Sequence, residues 1–500
     1  MSKVLVLLLL FLVFVFSIHT LTSINQDIGR HLRIGEIIWQ TKEVPKTNLF
    51  SYTNFDFPFI NHHWLGEVFL YFGSLAAGLK GLIIFKAFLV TAAFALAFFA
   101  CPVRDREGPQ RVFVSNGAAF NKEQILPAII AGLISIFILI ERTDVRPEIF
   151  SFLFLGWYLF ALFSYQENIS PSKPWRRRIL WTLPVVQLLW VNIHIYFFLG
   201  PLILFLFLIS RGLLIKNDRL KLIVLGILVF AANLANPNGL NGAIYPFVAL
   251  NNYGYSIVEN QGPFFLKAWG YPWLTTYALI IGLIFITVSF LLNIKNLRKN
   301  LFEFSLFIVS LVLAFKMIRN YPIFAMCMLP ISIKNFSESE IRFENRKIFI
   351  LIIILTSILI FSVTTNQIYE QARLGRKFGL DVPLGAQAAV DFVKENDLRG
   401  PIFNNFDVGS FLIWKLPEEK VFIDGRPEVY PAEFIQKVYI PMQENPEIWD
   451  KYSKEYGIKY VFWLYSDITP WSLKFINSMV KNPDWPLVYR DDSVMIFIRK

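Results

Sequence analysis

Hydrophobic residues along this chain fall into long runs, and short polar joints separate the runs. The runs of near-spanning length cover residues 4–22, 81–102, 124–140, 148–165, 179–193, 195–210, 220–236, 272–293, 301–318, 321–333 and 348–364. Apolar runs of this kind with few charges are typical of membrane-spanning helices, since the bilayer core requires about 20 apolar residues. The pattern therefore predicts about eleven transmembrane helices, of which the one at 321–333 is the shortest.

The first run has two interpretations, a signal peptide or a first membrane helix. Residues 3–22 begin with Lys3 and continue as a Leu, Val and Phe run to Leu21. The run lacks a small-x-small cleavage site, and its length of about 19 residues exceeds a signal-peptide core. We therefore predict an uncleaved helix.

One polar segment is far longer than the other joints, and it follows the first helix directly. It begins at residue 23, and its last part, 64–79, is apolar but short. Inner loops 103–123, 166–178, 211–221, 294–300 and 334–347 carry 19 Lys and Arg residues, whereas the outer joints carry five. Loops rich in Lys and Arg stay in the cytoplasm. If 64–79 crossed the membrane, the basic loops would lie outside, so we predict that 64–79 does not cross it.

The predicted topology follows from that charge distribution. The N-terminus is cytoplasmic, loop 23–79 lies outside with an amphipathic surface helix at 64–79, and everything after residue 365 lies outside. The chain is thus predicted to be a multi-pass protein of the cell (plasma or inner) membrane.

The composition changes near residue 381. Short β-like runs (401–403, 421–423, 460–463 and 494–498) alternate with helical stretches (385–396, 431–440, 446–455 and 471–482). This alternation predicts a soluble α/β domain. The fold class is therefore a polytopic α-helical membrane protein, residues 1–365, with a C-terminal extracytoplasmic α/β domain, residues 381–500.

Composition agrees with a membrane protein and excludes several classes. Apolar residues make up 55% of the chain and mean hydropathy is +0.49, too high for a soluble protein. The net charge of +11 reflects the inner loops, so nucleic acid is not predicted as a partner. Cys101 and Cys327 form no disulfide framework. The sequence has neither a phosphate-binding Walker loop nor a Gly-x-Ser-x-Gly nucleophile motif.

A first group of candidate chemical residues lies in the long outer loop. Asp27 precedes His31 by four residues, so the two share a face on a helical turn. His62 and His63 precede Glu67 at the start of the 64–79 helix. Asp27 is a candidate general base, metal ligand or helix cap. The histidines and Glu67 are candidates for substrate hydrogen bonding or interfacial anchoring. A divalent cation is the other alternative, although their spacing matches no zinc signature.

A second group lies at the other outer joints. The turn 141–148 holds five charges at the membrane edge, among them Arg142, Asp144, Arg146 and Glu148. Arginine matches phosphate geometry, so this turn is either a phosphate-binding element or a neutralised ion-pair turn. Further candidates on the same predicted side are His194, Glu259 and Arg319. Polar groups gathered on one face of a helical bundle indicate one site.

The layout and several motifs resemble the GT-C superfamily of membrane glycosyltransferases, which includes oligosaccharyltransferases, protein mannosyltransferases and aminoarabinose transferases. Stretches similar to a bacterial and archaeal GT-C-like group are Asp27-x-x-x-His31-Leu32-x-x-Gly35-Glu36, Phe50-Ser51-Tyr52-Thr53, His63-Trp64-Leu65-x-Glu67, Arg146-Pro147, Asn236-Pro237 and Phe422-Ile423-Asp424-Gly425-Arg426. The superfamily's first-loop acid maps to Asp27 and its second outer acid to Asp144. The chain departs from the pattern in having no Asp-x-Asp pair and no Trp-Trp-Asp motif, which argues against metal dependence and protein glycosylation.

The resemblance implies a hexosyl or pentosyl transferase of the cell envelope. Its donor would be a sugar on a polyprenyl phosphate, and its acceptor an extracytoplasmic glycan, lipid or protein. Asp27 and Asp144 would be the catalytic acids, and the arginines would bind the donor phosphate. No cofactor is predicted beyond a divalent cation as an alternative. The competing hypothesis is a non-catalytic lipid or glycan transporter or assembly scaffold, but paired halves with broken midplane helices are not visible.

The motif around Asp424 leaves two alternatives open. It follows the predicted strand 421–423, and the carboxyl ends of strands line ligand crevices in α/β sheets. Asp424 and Arg426 then either hold a sugar or acceptor, or simply form a turn in which Arg426 pairs with Glu428.

Overall fold

The computed structural model describes residues 2–21, 27–101, 125–166, 175–210, 218–249, 253–268, 273–339, 346–383 and 385–500. Its helices are α1 Ser2–Ser17, α2 Ile28–Thr41, α3 Trp64–Phe98, α4 Ile125–Leu139, α5 Glu148–Gln166, α6 Trp175–Arg178, α7 Leu183–Ile193, α8 Leu199–Ser210, α9 Arg219–Ala232, α10 Gly239–Val248, α11 Pro263–Ala268, α12 Leu274–Leu292, α13 Leu301–Lys316, α14 Tyr321–Glu338, α15 Arg346–Thr364, α16 Gln367–Gln371, α17 Gln387–Glu395, α18 Gly409–Lys415, α19 Ala432–Phe434, α20 Ile440–Glu444, α21 Pro446–Glu455 and α22 Pro470–Met479. The strands are β1 Ile402–Asn404, β2 Tyr460–Leu464, β3 Leu487–Arg490 and β4 Val494–Ile498.

The chain divides into two compact units. One, called the bundle unit here, comprises Met1–Thr20, Leu82–Gly239 and Ile257–Leu380. The other, the sheet unit, comprises Leu21–Gly81, Leu240–Ser256 and Asp381–Lys500. The long loop after the first helix thus belongs to the same unit as the C-terminal α/β region.

Membrane-length helices occur in the predicted places, although the described residues do not establish the predicted number. Four helices are long and apolar enough to cross a membrane: Trp64–Phe98, Glu148–Gln166, Leu274–Leu292 and Lys347–Thr364. Shorter apolar helices cover Lys3–Ser17, Ile125–Leu139, Ile179–Ile193 and Ile195–Ser210. The prediction of a helical membrane protein is supported, and the total of about eleven spans stays a prediction.

Helix α3 breaks at Gly78, close to where the hydropathy pattern separates a short apolar segment from the next run. Gly78 has φ 65° and ψ −174°, a backbone conformation that residues with a side chain rarely adopt. The hydrogen-bond pattern continues on both sides, so the element is two helices joined by a kink.

In the bundle unit, α4 packs against α14 and α12, and buried apolar side chains fill these contacts. Helix α14 continues beyond the apolar run through Lys334, which is buried and forms an ion pair with the buried carboxylate of Glu303 on α13. Pairing lets two charges lie inside the bundle, since an unpaired buried charge is costly.

The sheet unit is built on four strands in the order β1-β2-β4-β3. Strands β1 and β2 are parallel with Phe403 opposite Val461, and β4 runs antiparallel to both β2 and β3. Strand β2 is buried along its whole length, which agrees with its apolar sequence YVFWL. The predicted α/β organisation is confirmed for this region.

Local sequence signals explain the two best-defined helix starts around the sheet. Asn445 precedes Pro446 and its side chain accepts hydrogen bonds from the first turn of α21. Thr469 precedes Pro470 and caps α22 in the same way. A capping oxygen followed by proline at the first helical position satisfies a free backbone N–H and fixes the chain direction.

The segment 50–53 of the long loop pairs with the predicted strand 421–423. Val421 donates its N–H to the carbonyl of Phe50 over 2.9 Å, and the Ser51 and Thr53 hydroxyls donate to the carbonyl of Phe422. The segment 421–423 therefore pairs with distant loop residues and is not one of the four sheet strands.

Candidate functional site

Asp27 lies at the N-terminus of α2 with its carboxylate available for chemistry. Its side chain caps none of the helix N–H groups. One carboxylate oxygen, Oδ1, lies 3.3 Å from Nη2 of Arg30 and accepts a 3.4 Å hydrogen bond from the Ser410 hydroxyl. The side chain remains 26% exposed. The guanidinium and the hydroxyl hold the carboxylate in place, and the exposure leaves it accessible.

Glycines bring other segments of the sheet unit close to Asp27. A Cβ atom at Gly29 would lie 2.6 Å from the carbonyl oxygen of Ser410, so only glycine lets α2 approach α18 at this distance. A Cβ atom at Gly425 would lie 3.1 Å from Asp27 Oδ1. The turn containing Gly425 therefore passes directly beside the candidate carboxylate without crowding it.

A second carboxylate, Glu67, organises the residues one turn further along α2. Its Oε1 lies 2.9 Å from Nδ1 of His31 and 3.7 Å from Nη1 of Arg30. Its Oε2 accepts a 2.8 Å hydrogen bond from the Asn61 amide. Glu67 is 1% exposed, so these contacts compensate a fully buried charge. Arg30 thus lies between the Asp27 and Glu67 carboxylates.

His31 is held as a neutral imidazole in this cluster. Burial and the positive charge of Arg30 lower the pKa of His31 below its usual 6.5, although Glu67 acts in the opposite direction. A neutral imidazole whose Nδ1 contacts the Glu67 carboxylate carries its proton on Nδ1 and donates a hydrogen bond from there. This contact fixes the tautomer of His31. His31 is therefore a positioning residue for Glu67 in this arrangement.

The other two loop histidines lie against each other. The rings of His62 and His63 are 3.9 Å apart and tilted by 53°, and His62 also lies 5.1 Å from the ring of Tyr245. His63 meets His31 edge to face at 5.6 Å. The three loop histidines therefore lie together in the sheet unit, and their part in a substrate site stays a prediction.

The metal hypothesis finds no suitable donor set in the described residues. No group of three or more His, Cys, Asp or Glu side chains placed to hold a metal occurs in the part of the chain that the structure describes. The Arg30 guanidinium lies beside Asp27, and its positive charge disfavours a second cation there. These residues do not fit a divalent metal.

Asp424 and Arg426 bind each other in the interior of the sheet unit. Arg426 donates from Nε and Nη2 to the two Asp424 oxygens at 2.7 and 2.8 Å, and Tyr430 donates its hydroxyl to the same carboxylate at 3.0 Å. Both charged side chains are buried. The predicted pairing of Arg426 with Glu428 is wrong: Arg426 pairs with Asp424, and the pair shapes the turn that carries Gly425.

In the bundle unit, the turn 141–148 forms a compact ion-pair cluster. Arg142 donates from Nε and Nη2 to Glu148 at 3.1 and 2.6 Å, and it also pairs with Glu259. Arg146 donates to both Glu259 oxygens at 3.0 and 3.2 Å. Burial favours the neutral acid, but Arg142 and Arg146 hold the pKa of Glu259 down at about 2. Arg142 therefore pairs with two carboxylates, Glu148 and Glu259, and Arg146 shares Glu259 with it.

Arg319 has a different environment from these two arginines. It donates from Nη1 to the Asn260 amide oxygen at 3.0 Å, and its guanidinium lies 5.9 Å from the ring centre of Tyr196. Its buried Nε has no hydrogen-bond partner, and no carboxylate forms an ion pair with it among the described residues. Arg319 is therefore held by a neutral amide, whereas Arg142 and Arg146 are held by carboxylates.

Asp144 points to a separate set of basic groups in the bundle unit. Its carboxylate lies 3.5 Å from Nη1 of Arg376, which also lies 3.3 Å from Nε2 of His19. Although burial alone would raise it, the charge of Arg376 above all holds the pKa of Asp144 well below its usual 3.8. Asp144 is thus a firmly ionised group and a weak base.

Several residues of both clusters were not identified from the sequence. Lys86 donates to His19 over 2.7 Å, and its position inside an apolar run was a usable signal. Arg30 lies within the quoted Asp27–Leu32 motif and was equally visible. Asn61, Ser410 and Arg376 gave no signal, because their roles depend on contacts distant in sequence.

His194, another predicted site residue, has contacts inside the helix bundle. Its Nδ1 lies 2.9 Å from the Ser151 hydroxyl and accepts the backbone N–H of Tyr196 at 3.3 Å. It caps the turn that joins α7 to α8. Its predicted part in substrate binding stays a prediction.

Comparison with known proteins identifies the fold. No protein-family model and no curated protein matches the chain. The structure of the archaeal oligosaccharyltransferase AglB from Archaeoglobus fulgidus, in complex with an inhibitory peptide and a dolichol-phosphate, is similar with a TM-score of 0.61 and 12% identity, covering 92% of this chain and 69% of that one. The apo form of the Archaeoglobus fulgidus oligosaccharyltransferase gives a TM-score of 0.57 at the same identity and coverage.

At 12% identity this likeness concerns the fold and not the activity. It covers nearly the whole chain, including both the helical and the sheet regions. The chain therefore has the fold of an archaeal oligosaccharyltransferase, and the similarity to the GT-C superfamily of membrane glycosyltransferases that its sequence motifs indicate is confirmed at the level of the fold.

Proposed function

We propose that this protein is a membrane glycosyltransferase that moves a sugar from a polyprenyl-phosphate-linked donor to an extracytoplasmic acceptor. The observation that carries the proposal is Asp27, an accessible carboxylate at the start of α2 that is not consumed as a helix cap. The oligosaccharyltransferase-like fold supports the class of reaction. A lipid-bound donor is the expectation because AglB was solved with a dolichol-phosphate.

Asp27 acts as the general base in the proposed reaction. The acceptor hydroxyl or amide attacks the anomeric carbon, its proton passes to the Asp27 carboxylate, and the bond from that carbon to the phosphate oxygen breaks. The Ser410 hydroxyl and the Arg30 guanidinium keep the carboxylate oriented before the acceptor binds. Gly425 leaves room for an acceptor beside Asp27.

The leaving polyprenyl phosphate gains negative charge as that bond breaks. We assign its binding primarily to Arg319, which is held by a neutral amide and has a buried Nε–H donor without a partner. Arg146 is the second phosphate ligand, since it lies beside Arg142 in the same cluster and shares Glu259 with it. Arg142 supports both by holding Glu148 and Glu259 in place.

The remaining predicted residues bind or position substrate in this proposal. His62 and His63 offer two adjoining aromatic rings for contact with a sugar or acceptor. His31 and Glu67 position Arg30, and so Asp27. Asp144 attracts and orients the basic groups around it and does not take a proton, in keeping with its low pKa.

The test is sugar transfer by purified protein reconstituted in vesicles. Polyprenyl-phosphate monosaccharides and a polyprenyl-diphosphate oligosaccharide serve as donor probes, and release of the sugar to water or to an added glycan or peptide acceptor is measured. Asp27→Asn removes the base but keeps the shape. Asp397→Asn makes the same chemical change in an exposed turn that pairs with Arg399, and it is the matched control.

We expect Asp27→Asn to lower turnover by at least about a hundredfold, on the scale of a lost general base. The Asp397→Asn variant should match the wild type. Full activity in Asp27→Asn, with correct folding, would remove Asp27 from the mechanism. Absence of any transfer or hydrolysis by the wild type with every donor would favour a non-catalytic protein.

A further inference from the structure

A pocket in the bundle unit lies away from every residue discussed above. It has a volume of about 370 Å³, within the usual range for ligand sites. Its walls come from the end of α5, from residues 177–181 and from the first half of α9. All of these segments adjoin the loops 166–178 and 211–221, which the positive-inside rule places in the cytoplasm.

The pocket mouth is basic. Arg177, Arg178 and Lys221 line it together with one acid, Asp218. Asp218 already accepts a 3.0 Å hydrogen bond from the Tyr165 hydroxyl and lies 3.5 Å from Lys221 Nζ. Three cations and one anion leave two positive charges, so the mouth is suited to a group carrying negative charge.

The rest of the pocket lining is largely apolar. Leu180, Leu222 and Leu225 contribute to it. On the same face of α9, Leu228 lies seven residues beyond Lys221, about two helical turns, and is 43% exposed. This places an apolar stripe at helical spacing beside a basic pocket.

Trp181 marks the depth of the pocket in the membrane. It lines the pocket and is 44% exposed, and tryptophan is enriched at the level of lipid headgroups. The basic groups therefore sit at headgroup level, while the exposed face of α9 extends toward the acyl chains. A phosphate ion would contact the basic groups only, whereas a phospholipid would contact the basic groups with its headgroup and the exposed face of α9 with an acyl chain.

We propose that this pocket binds the headgroup of an anionic phospholipid of the cytoplasmic leaflet, with the phosphate between Arg177, Arg178 and Lys221 and an acyl chain along α9. Basic pockets between helices on the cytoplasmic side are a recognised mode of anionic lipid binding. The site is independent of the proposed sugar transfer, because none of its residues belongs to the Asp27 or Arg319 clusters.

Native mass spectrometry of the full-length protein in detergent tests the proposal. The probes are phosphatidylglycerol and phosphatidylcholine with identical acyl chains, each titrated separately, and inorganic phosphate added as a competitor. We expect phosphatidylglycerol adducts to persist at lower lipid concentration than phosphatidylcholine adducts. Inorganic phosphate should displace them weakly, because it lacks the acyl contacts with α9.

The variant Arg177→Gln/Arg178→Gln should lower phosphatidylglycerol affinity by roughly 30-fold, since each cation near an anionic surface is worth roughly fivefold. Lys295→Gln/Arg298→Gln removes the same charge from another predicted inner loop and is the matched control. Both side chains are exposed and do not line the pocket. Should the first variant fail to fold, Lys221→Gln, at a side chain 69% exposed, should still weaken binding about fivefold.

Three results would overturn the proposal. These are equal retention of the two lipids, equal losses in the pocket and control variants, and full displacement by inorganic phosphate at a concentration matching the lipid. The last would identify a free phosphate site. Sugar-transfer assays on the same variants separate this proposal from the catalytic one, because loss of lipid binding leaves the Asp27 cluster intact.

Discussion

The three arginines of the bundle unit differ in what their removal should do, and Arg319→Gln is the decisive change. Glutamine keeps a polar amide on a shorter side chain, and it removes the charge and the Nε donor. Arg319 donates to a neutral amide, so its loss breaks no ion pair among the described residues, although it removes one of the three arginine charges that hold Glu259 ionised. Arg142→Gln, in contrast, takes a partner from both Glu148 and Glu259.

The magnitudes separate the two variants clearly. Breaking a buried ion pair by removing one partner costs about 3–5 kcal/mol of folding free energy, and Arg142 is 5% exposed. Arg319→Gln should cost about 1–3 kcal/mol, the value of one hydrogen bond from a charged donor. If Arg319 binds the leaving phosphate, its loss should lower kcat about 100- to 1,000-fold. Arg142→Gln should thus fail mainly in folding, and Arg319→Gln mainly in catalysis.

The assay measures both properties on the same preparations. Membrane yield and apparent melting temperature report folding, and hydrolysis of a polyprenyl-phosphate monosaccharide reports catalysis. Arg298→Gln, at an exposed position in the loop 294–300, controls for loss of one positive charge. Retention of more than half the activity in Arg319→Gln would refute the phosphate assignment. Wild-type melting of Arg142→Gln would refute the structural assignment.

Three further outcomes follow from the same contacts. Gly35→Ala should lower the melting temperature, because its Cβ would lie 2.3 Å from a carbonyl oxygen of α3 and overpacking costs about 1–3 kcal/mol. The control Gly226→Ala should leave the melting temperature unchanged, because its Cβ would meet only the flexible end of a leucine side chain. Burial depresses the pKa of His31, so the unfolded chain binds a proton at a higher pH than the folded protein does. Stability should therefore fall as pH drops below about 6.5. His31→Gln should flatten this part of a plot of melting temperature against pH. A reporter fused after Arg178 should read cytoplasmic and one fused after Lys500 external, and the opposite result at Arg178 would mean that 64–79 spans the membrane.

Hydropathy located most helices but not the polar groups that extend or interrupt them. The run at 321–333 was expected to be short, yet α14 continues to Glu338. The extension depends on Lys334 pairing with Glu303, a partner on another helix. A sliding average treats Lys334 as a stop signal because it has no information about that partner.

The C-terminal sheet shows the same limit for strands. The segment 421–423 has a strand-like sequence but pairs with Phe50–Tyr52, which is more than 350 residues earlier in the chain. Helix α18, Gly409–Lys415, was not predicted, since its apolar sequence GSFLIWK is too short to show helical periodicity. Strand β3, which is partly exposed, also gave no clear alternation.

The candidate site was predictable where its members are close in sequence. Asp27 and His31 share a helix, and His62, His63 and Glu67 share another turn, so spacing alone grouped them. The contact between His31 and Glu67 joins those two groups, and their spacing in the sequence did not predict it. The partner of Asp144 is Arg376, 232 residues away, and no local pattern connects them.

Arg30 links the two carboxylates of the sheet unit, and this link determines how Asp27 behaves. The guanidinium lies 3.3 Å from Asp27 and 3.7 Å from Glu67, so its positive charge is divided between them. Glu67 is the more deeply buried of the two, and His31 and Asn61 fix it by hydrogen bonds. The position of the Arg30 guanidinium beside Asp27 therefore depends on residues that lie around Glu67.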